Sequence, residues 1–269
     1  MLVLVAVVVL LLFTLPGNYG FKLLSQHPEA LATVNMEAFA PLHITHYGDW
    51  VVAALLGFLL LSNAARMVFM VMRGSGAPLS AYILEFKEVI VHLLTQKRWS
   101  ECTSNTAKHW IRHIFLVTGY ATMFILVVIF LPWFQRAGTE FHWTSLFGYY
   151  GTVVLLAVTI WMMADRAGKK DQIHKHSELS DWLFPLLLFL TALTGIFMHM
   201  FRLLNLPMPT YVMYLIHLMV AVPMLVIEVP FGKWAHLLYR PLAVYLTAVK
   251  RHAPARLGAA APAMSRPDH

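Results

Sequence analysis

The chain has 269 residues, of which 59% are hydrophobic and only 12% charged, with a formal net charge of +7. A soluble domain carries about 25% charged residues, and a water-exposed globule could not hide this much apolar surface, so soluble and disordered classes are excluded. The mean hydropathy of +0.66 agrees, and the chain reads as an integral membrane protein of the all-α class. The apolar stretches are continuous and do not alternate with period two, which argues against a β-barrel.

Six stretches read as helices, over residues 1–15, 48–72, 110–134, 146–165, 182–204 and 211–239. The first is short for a span of about 20 residues. It lacks the basic flank and small-residue cleavage site of a secretory signal, so it is expected to act as an anchor helix. Residues 1–46 therefore form an anchor and outer segment, 47–252 a transmembrane bundle, and the Ala- and Pro-rich 253–269 a disordered tail. Within the bundle, 79–102 is amphipathic. Leu79, Ile83, Phe86, Ile90, Leu93 and Leu94 recur at spacings near three and four, as in a helix lying along the inner interface or docking a partner.

Lys and Arg set the orientation. Sixteen lie in 73–112, in 166–175 and beyond residue 232, while the alternate loops hold only Lys22, Arg136 and Arg202. By the positive-inside rule both termini face the cytoplasm. This asymmetry accounts for the basic charge, so no nucleic-acid partner is implied.

Fourteen histidines are many for so apolar a chain. Four sit within or at the ends of apolar helices: His113 and His236 toward the inner side, His199 and His217 toward the outer side. Ionisable groups at such depth are functional by default. Two bis-histidine haems stacked across the bilayer require this sorting into pairs, and such haems suit electron transfer. The plainer account is that these histidines bond helices together. His43 and His46, placed just before the second helix, are alternatives to His199 as outer ligand. His109 shares a face with His113 but is flanked by Trp110 and Arg112, which marks it as interfacial. Gly119 and Gly195 share helices with His113 and His199; they leave room for a porphyrin face or serve simple packing. The single Cys102 excludes an intrachain disulfide, and no C-x-x-C pair exists for a cluster.

Three blocks carry a family resemblance. One is the run His217-Leu-x-Val-Ala-Val to Val229-Pro-Phe-Gly-Lys-Trp-Ala-His236-Leu-Leu-Tyr-Arg240. The second is His92-Leu-Leu-x3-Arg98-Trp-x2-Cys102 with Trp110-x-Arg112-His113 and Gly119. The third is Ser180-Asp181-Trp182-x-Phe184 with Leu193-Thr194-Gly195 and Arg202. Together they resemble the nitrate reductase gamma-subunit superfamily of membrane cytochromes b. The nearer likeness is to the membrane subunit of dissimilatory sulfite reductase-linked, heterodisulfide reductase-like complexes. The resemblance implies a dihaem b cytochrome of the bacterial cytoplasmic membrane. It would exchange electrons between menaquinone and a cytoplasmic iron–sulfur protein of heterodisulfide reductase-like type, with further membrane and periplasmic redox subunits, in sulfur metabolism. His217 would serve the outer haem, and His236 with His113 the inner. That family has a second histidine ten residues after the first, where this chain has Met123. The outer haem then takes His199, or His46 or His43, or more rarely a methionine, and a version with one haem b is the alternative to two. The interval from His217 to His236 is one residue longer than the family pattern. Nineteen residues leave the two side chains about 100° apart on an ideal helix, which a kink or bulge at Pro223 or Pro230 would absorb.

A quinone also needs proton-handling groups. Glu228 and Lys233 offer them inside, Asp49 and Trp50 outside, the outer set lying beside the outer haem. Asp49 capping its helix and Lys233 snorkelling are the competing roles. A histidine-lined transporter or metal permease, and a haem-free membrane anchor, are the alternative functions. The absence of an internal repeat weighs against the transporter.

Overall fold

The computed structural model describes residues 1–15, 17–95, 106–169 and 177–253. Lys97, Arg98 and Cys102 of the amphipathic segment, Lys170, Lys175, His174, His176 and the tail from 254 lie outside them. So do the side chains of His109 and Lys233.

Among the described residues the structure is helical, without strands. The order is α1 (Leu2–Thr14), α2 (Gly20–Leu24), α3 (Leu42–Met72), α4 (Leu79–Thr95), α5 (Thr106–Val128), α6 (Leu131–Phe134), α7 (Thr144–Ala167), α8 (Leu179–Leu203), α9 (Pro207–Pro223), α10 (Val229–Phe231) and α11 (His236–Lys250). Five helical stretches are long and apolar enough to cross a membrane. The sixth expected span, 1–15, forms a helix of 13 residues. At 1.5 Å per residue it reaches about 20 Å, short of the ~30 Å hydrocarbon core. It packs instead through Val9 and Phe13 onto Tyr214 and Leu215 of α9.

Cross-helix bonds define two ends of the bundle. At the upper end Gln135 donates to Asp49 (2.8 Å) and Arg202 to the Gly138 carbonyl (2.6 Å). At the lower end Arg112 pairs with Asp165 (2.7 Å), and Met72, Ala81, Leu246 and Val249 form a core where α3, α4 and α11 meet. A central core of Leu116, Leu155, Val158, Phe184, Leu188 and Met224 joins α5, α7 and α8 to the turn after α9.

Two boundaries differ from the expected ones. The helix placed at 48–72 starts at Leu42, because Pro41 takes the N-cap position and the Glu37 side chain accepts the Leu42 N–H (2.9 Å). His43, His46 and Asp49 therefore lie in the first turns of α3 and not ahead of it, and Asp49 caps nothing. The helix placed at 211–239 is broken. Five residues, Met224–Glu228, adopt a π turn between Pro223 and Pro230, neither of which offers an N–H to the ladder. Gly232 then turns extended (φ −99°, ψ −155°), and α11 begins as a separate amphipathic helix.

The upper end is closed by an aromatic cluster of Phe13, Phe39, Tyr211 and Tyr214, with Phe39 and Tyr211 stacked at 4.9 Å. The fully buried Tyr211 hydroxyl accepts from Asn35 N–H (3.0 Å) and donates to the Ala30 carbonyl (2.9 Å). Tyr211→Phe leaves both backbone groups unpaired, so thermal unfolding in detergent should show a loss of about 1–3 kcal/mol.

Candidate functional site

The lower pair is assembled by the break at Gly232. A Cβ there would lie 2.1 Å from Glu228 Oε2, so the glycine lets the buried Glu228 carboxylate fold against the backbone. A 3-10 turn over Lys233–Ala235 follows, and His236 opens α11. His113 lies in the second turn of α5. The Arg112–Asp165 ion pair beside it ties α5 to α7, and the guanidinium sits over the Trp161 ring at 5.6 Å. The His113 and His236 rings come to 6.1 Å between centres, inclined at 63°.

That separation has a chemical meaning. With metal–imidazole bonds of about 2.0 Å and ring centres about 1.1 Å behind the nitrogens, two imidazoles trans on one metal ion sit about 6 Å apart. The 6.1 Å separation is of the size that one metal ion held between the two rings would need. Among the described residues no three His, Cys, Asp or Glu side chains converge on a metal position.

At the upper end the Thr194 hydroxyl donates to the Leu190 carbonyl (2.7 Å) and lies 3.0 Å from His217 Nδ1. Its one proton being used, it accepts from Nδ1–H, which puts the ring's lone pair on Nε2. Gly195 gives the ring room, since a Cβ there would stand 3.2 Å from His217 Cε1. Gly119 does something different: it closes α5 against Val154 and Leu155 of α7.

His199 has both nitrogens engaged. Arg202 Nη2 donates to Nδ1 (3.3 Å), so Nε2 carries the proton and bonds the Tyr149 hydroxyl (2.8 Å). His46 is the opposite case: Nε2 is buried without a hydrogen-bond partner among the described residues. One turn on, Asp49 accepts from Gln135, whose own Oε1 is also buried without a partner among the described residues. Tyr19 closes the group with a 3.2 Å contact to the Thr45 hydroxyl. Trp50 is half exposed (51%), and His43 is exposed beside Glu37 at 3.8 Å.

The structure thus draws His113 to His236 and seats His46 and Asp49 in one polar group, while His199 belongs to a separate Tyr149–Arg202 network. Gln135, Tyr19 and Tyr149 were not singled out by the sequence, and Thr194 entered only as part of a resemblance block. Only Gln135 carries a signal there, as an amide beside Arg136 just after an apolar span. The chain matches no family model, no curated protein and no solved structure.

Proposed function

We propose that this chain is a b-type cytochrome subunit of a quinone-linked electron-transfer complex in a bacterial cytoplasmic membrane. The carrying observation is the 6.1 Å approach of His113 and His236, which lie 123 residues apart in the chain. By the distribution of Lys and Arg the lower end is cytoplasmic. Haem b, which His113 and His236 would hold, would supply reversible one-electron exchange. His113 and His236 hold the inner haem. His217 holds the outer one, with His46 as its partner, because the free nitrogen of His46 suits a ligand and both nitrogens of His199 are occupied.

Menaquinone binds at the outer end beside Asp49 and Gln135, with Trp50 on the lipid side. Asp49 takes up protons there, and Gln135 keeps the carboxylate oriented through its 2.8 Å bond. The inner candidates are weaker. Glu228 is folded onto Gly232, and Lys233 stands in the turn that delivers His236. Having one cysteine, the chain needs a cytoplasmic iron–sulfur partner of heterodisulfide reductase-like type, in keeping with a role in sulfur metabolism. The exposed Leu79, Ile83 and Phe86 of α4 offer that partner a face.

The test is a reduced-minus-oxidised spectrum with a haem-to-protein ratio on the purified complex. Two haems b per chain support the reading, one retires the outer site, and none in an intact complex overturns it in favour of an anchor or permease. His46→Ala should lower the ratio from two to one, and His199→Ala should leave it at two. The reverse result returns the outer ligand to His199.

A further inference from the structure

Helix α3 is the least enclosed of the long helices. It runs for 31 residues, and none of its most apolar stretch is buried, whereas the other four spans bury 17–39% of theirs. Tyr19 and Gln135 hold it above, through Thr45 and Asp49, and the Met72 core holds it below. Between these ends it carries three polar side chains, Ser62, Asn63 and Arg66. Ser62 donates back to the Leu59 carbonyl at 3.0 Å. Asn63 and Arg66 make no hydrogen bond or ion pair among the described residues, and Arg66 is exposed. A cation and an amide within an apolar span are costly unless something answers them. At 1.5 Å per residue Arg66 lies about 9 Å above the Met72 end. Asn63 lies about 14 Å above it, near the middle of a ~30 Å core. Leu55, Leu59, Ser62, Arg66 and Phe69 recur at intervals of four and three, so they form one stripe with Asn63 at its edge. A second helix crosses along such a stripe at a shallow angle, and the small Ser62 lets the backbones approach.

We propose that this stripe receives a transmembrane helix of another subunit, one that carries an aspartate or glutamate at the depth of Arg66. The carboxylate pairs with the guanidinium, and Asn63 bonds the same helix. A second copy of this chain does not fit. A two-fold contact would set Arg66 against Arg66. The one carboxylate of α3, Asp49, stands about 25 Å away along the helix and is engaged by Gln135. A lipid phosphate would satisfy Arg66 by snorkelling, yet it would leave the Asn63 amide unanswered near the midplane. This surface goes beyond the haem reading and stands without it.

The test uses the full chain in native membranes, with the photo-crosslinking residue p-benzoylphenylalanine at Leu55, Leu59 or Phe69. Leu61, exposed away from the stripe, is the control position. Adducts are mapped to the joined peptide by mass spectrometry. The three stripe positions, and not Leu61, should join one transmembrane segment of another protein, with an aspartate or glutamate in that segment. Arg66→Glu should lower the adduct yield about tenfold, the factor that one intramembrane polar contact supplies. Arg66→Lys should keep most of it, and Asn63→Leu should lower it to a smaller extent. Exchanging the partner's carboxylate for arginine should restore the yield in Arg66→Glu, which a misfolded chain would not permit. Adducts to phospholipid alone assign Arg66 to a headgroup and overturn the proposal, and adducts to a second copy of this chain overturn it equally. So do a joined segment without a carboxylate, the absence of any protein adduct, and a yield indifferent to Arg66→Glu.

Discussion

His113→Ala should remove one of the two haems b from each chain while the complex stays intact. In the proposed site the imidazole is one of two protein ligands, and its described neighbours are engaged elsewhere. Arg112, the adjacent residue, is committed to Asp165, and Trp110 donates its indole N–H to the Thr95 carbonyl. Loss of groups that merely support a ligand lowers metal affinity about 10–100-fold, so loss of the ligand itself should lower inner-haem retention by more than that. Quinol-driven reduction of a cytoplasmic acceptor should then fall below detection, because the outer haem has no next carrier. The fold tolerates the change: His113 is only partly buried, and the neighbouring core of Leu116, Leu155 and Phe184 is untouched. The measurement is a haem-to-protein ratio alongside size-exclusion elution. Added imidazole should bring back part of the missing spectrum, which a collapsed bundle could not do. A variant that keeps two haems and an unaltered spectrum ends the case for this pair.

What the sequence discloses, and what it withholds, follows from range. The long apolar helices were legible because length and continuous apolarity are local properties, and they reappear as α3, α5, α7, α8 and the run from Pro207. The break in the helix between His217 and His236 also had a local signature in Pro223 and Pro230, and a π turn lies between them. The start of α3 was misplaced because His43, Thr45, His46 and Asp49 look like a polar loop. What decides the boundary is Pro41 and a side-chain cap from Glu37, five residues upstream of Leu42. The Gly232 break was hidden for a similar reason: apolar residues continue on both sides, and only the Glu228 carboxylate against its backbone shows why glycine stands there. The network of Tyr149, His199 and Arg202 was out of reach altogether. It depends on how α7 and α8 are rotated against each other, and one residue of rotation would turn His199 toward a different neighbour. Depth along a helix can be counted from sequence, but direction around it needs the packing.

Gly20→Ala should be the most damaging small substitution at the upper end. Gly20 has φ +66°, in the left-handed region that costs an L residue about 1–2 kcal/mol. Space is a second obstacle, because an added Cβ would stand 2.1 Å from the Phe13 carbonyl oxygen and 2.7 Å from its Cα. These are backbone atoms at the end of α1 and cannot swing aside as a side-chain tip could. Relief requires α1 to part from α2, and the junction resists, since Gly20 N–H donates to the Phe39 carbonyl at 2.7 Å. The Phe13 ring packs on Tyr19 (4.6 Å), Phe39 (5.6 Å) and Tyr214 (5.8 Å). Adding the usual cost of overpacking, about 1–3 kcal/mol, the loss should reach about 3 kcal/mol. It should appear as a lower thermal midpoint in detergent and faster tryptic cleavage at Lys22. The effect should extend to function, because Tyr19 contacts Thr45, the neighbour of His46. Outer-haem absorbance should therefore drop while the inner signal, anchored by α5 and α11, persists. An unchanged midpoint and unchanged cleavage would mean that α1 does not rest on the outer segment as described, and the route from Gly20 to His46 would fall with it.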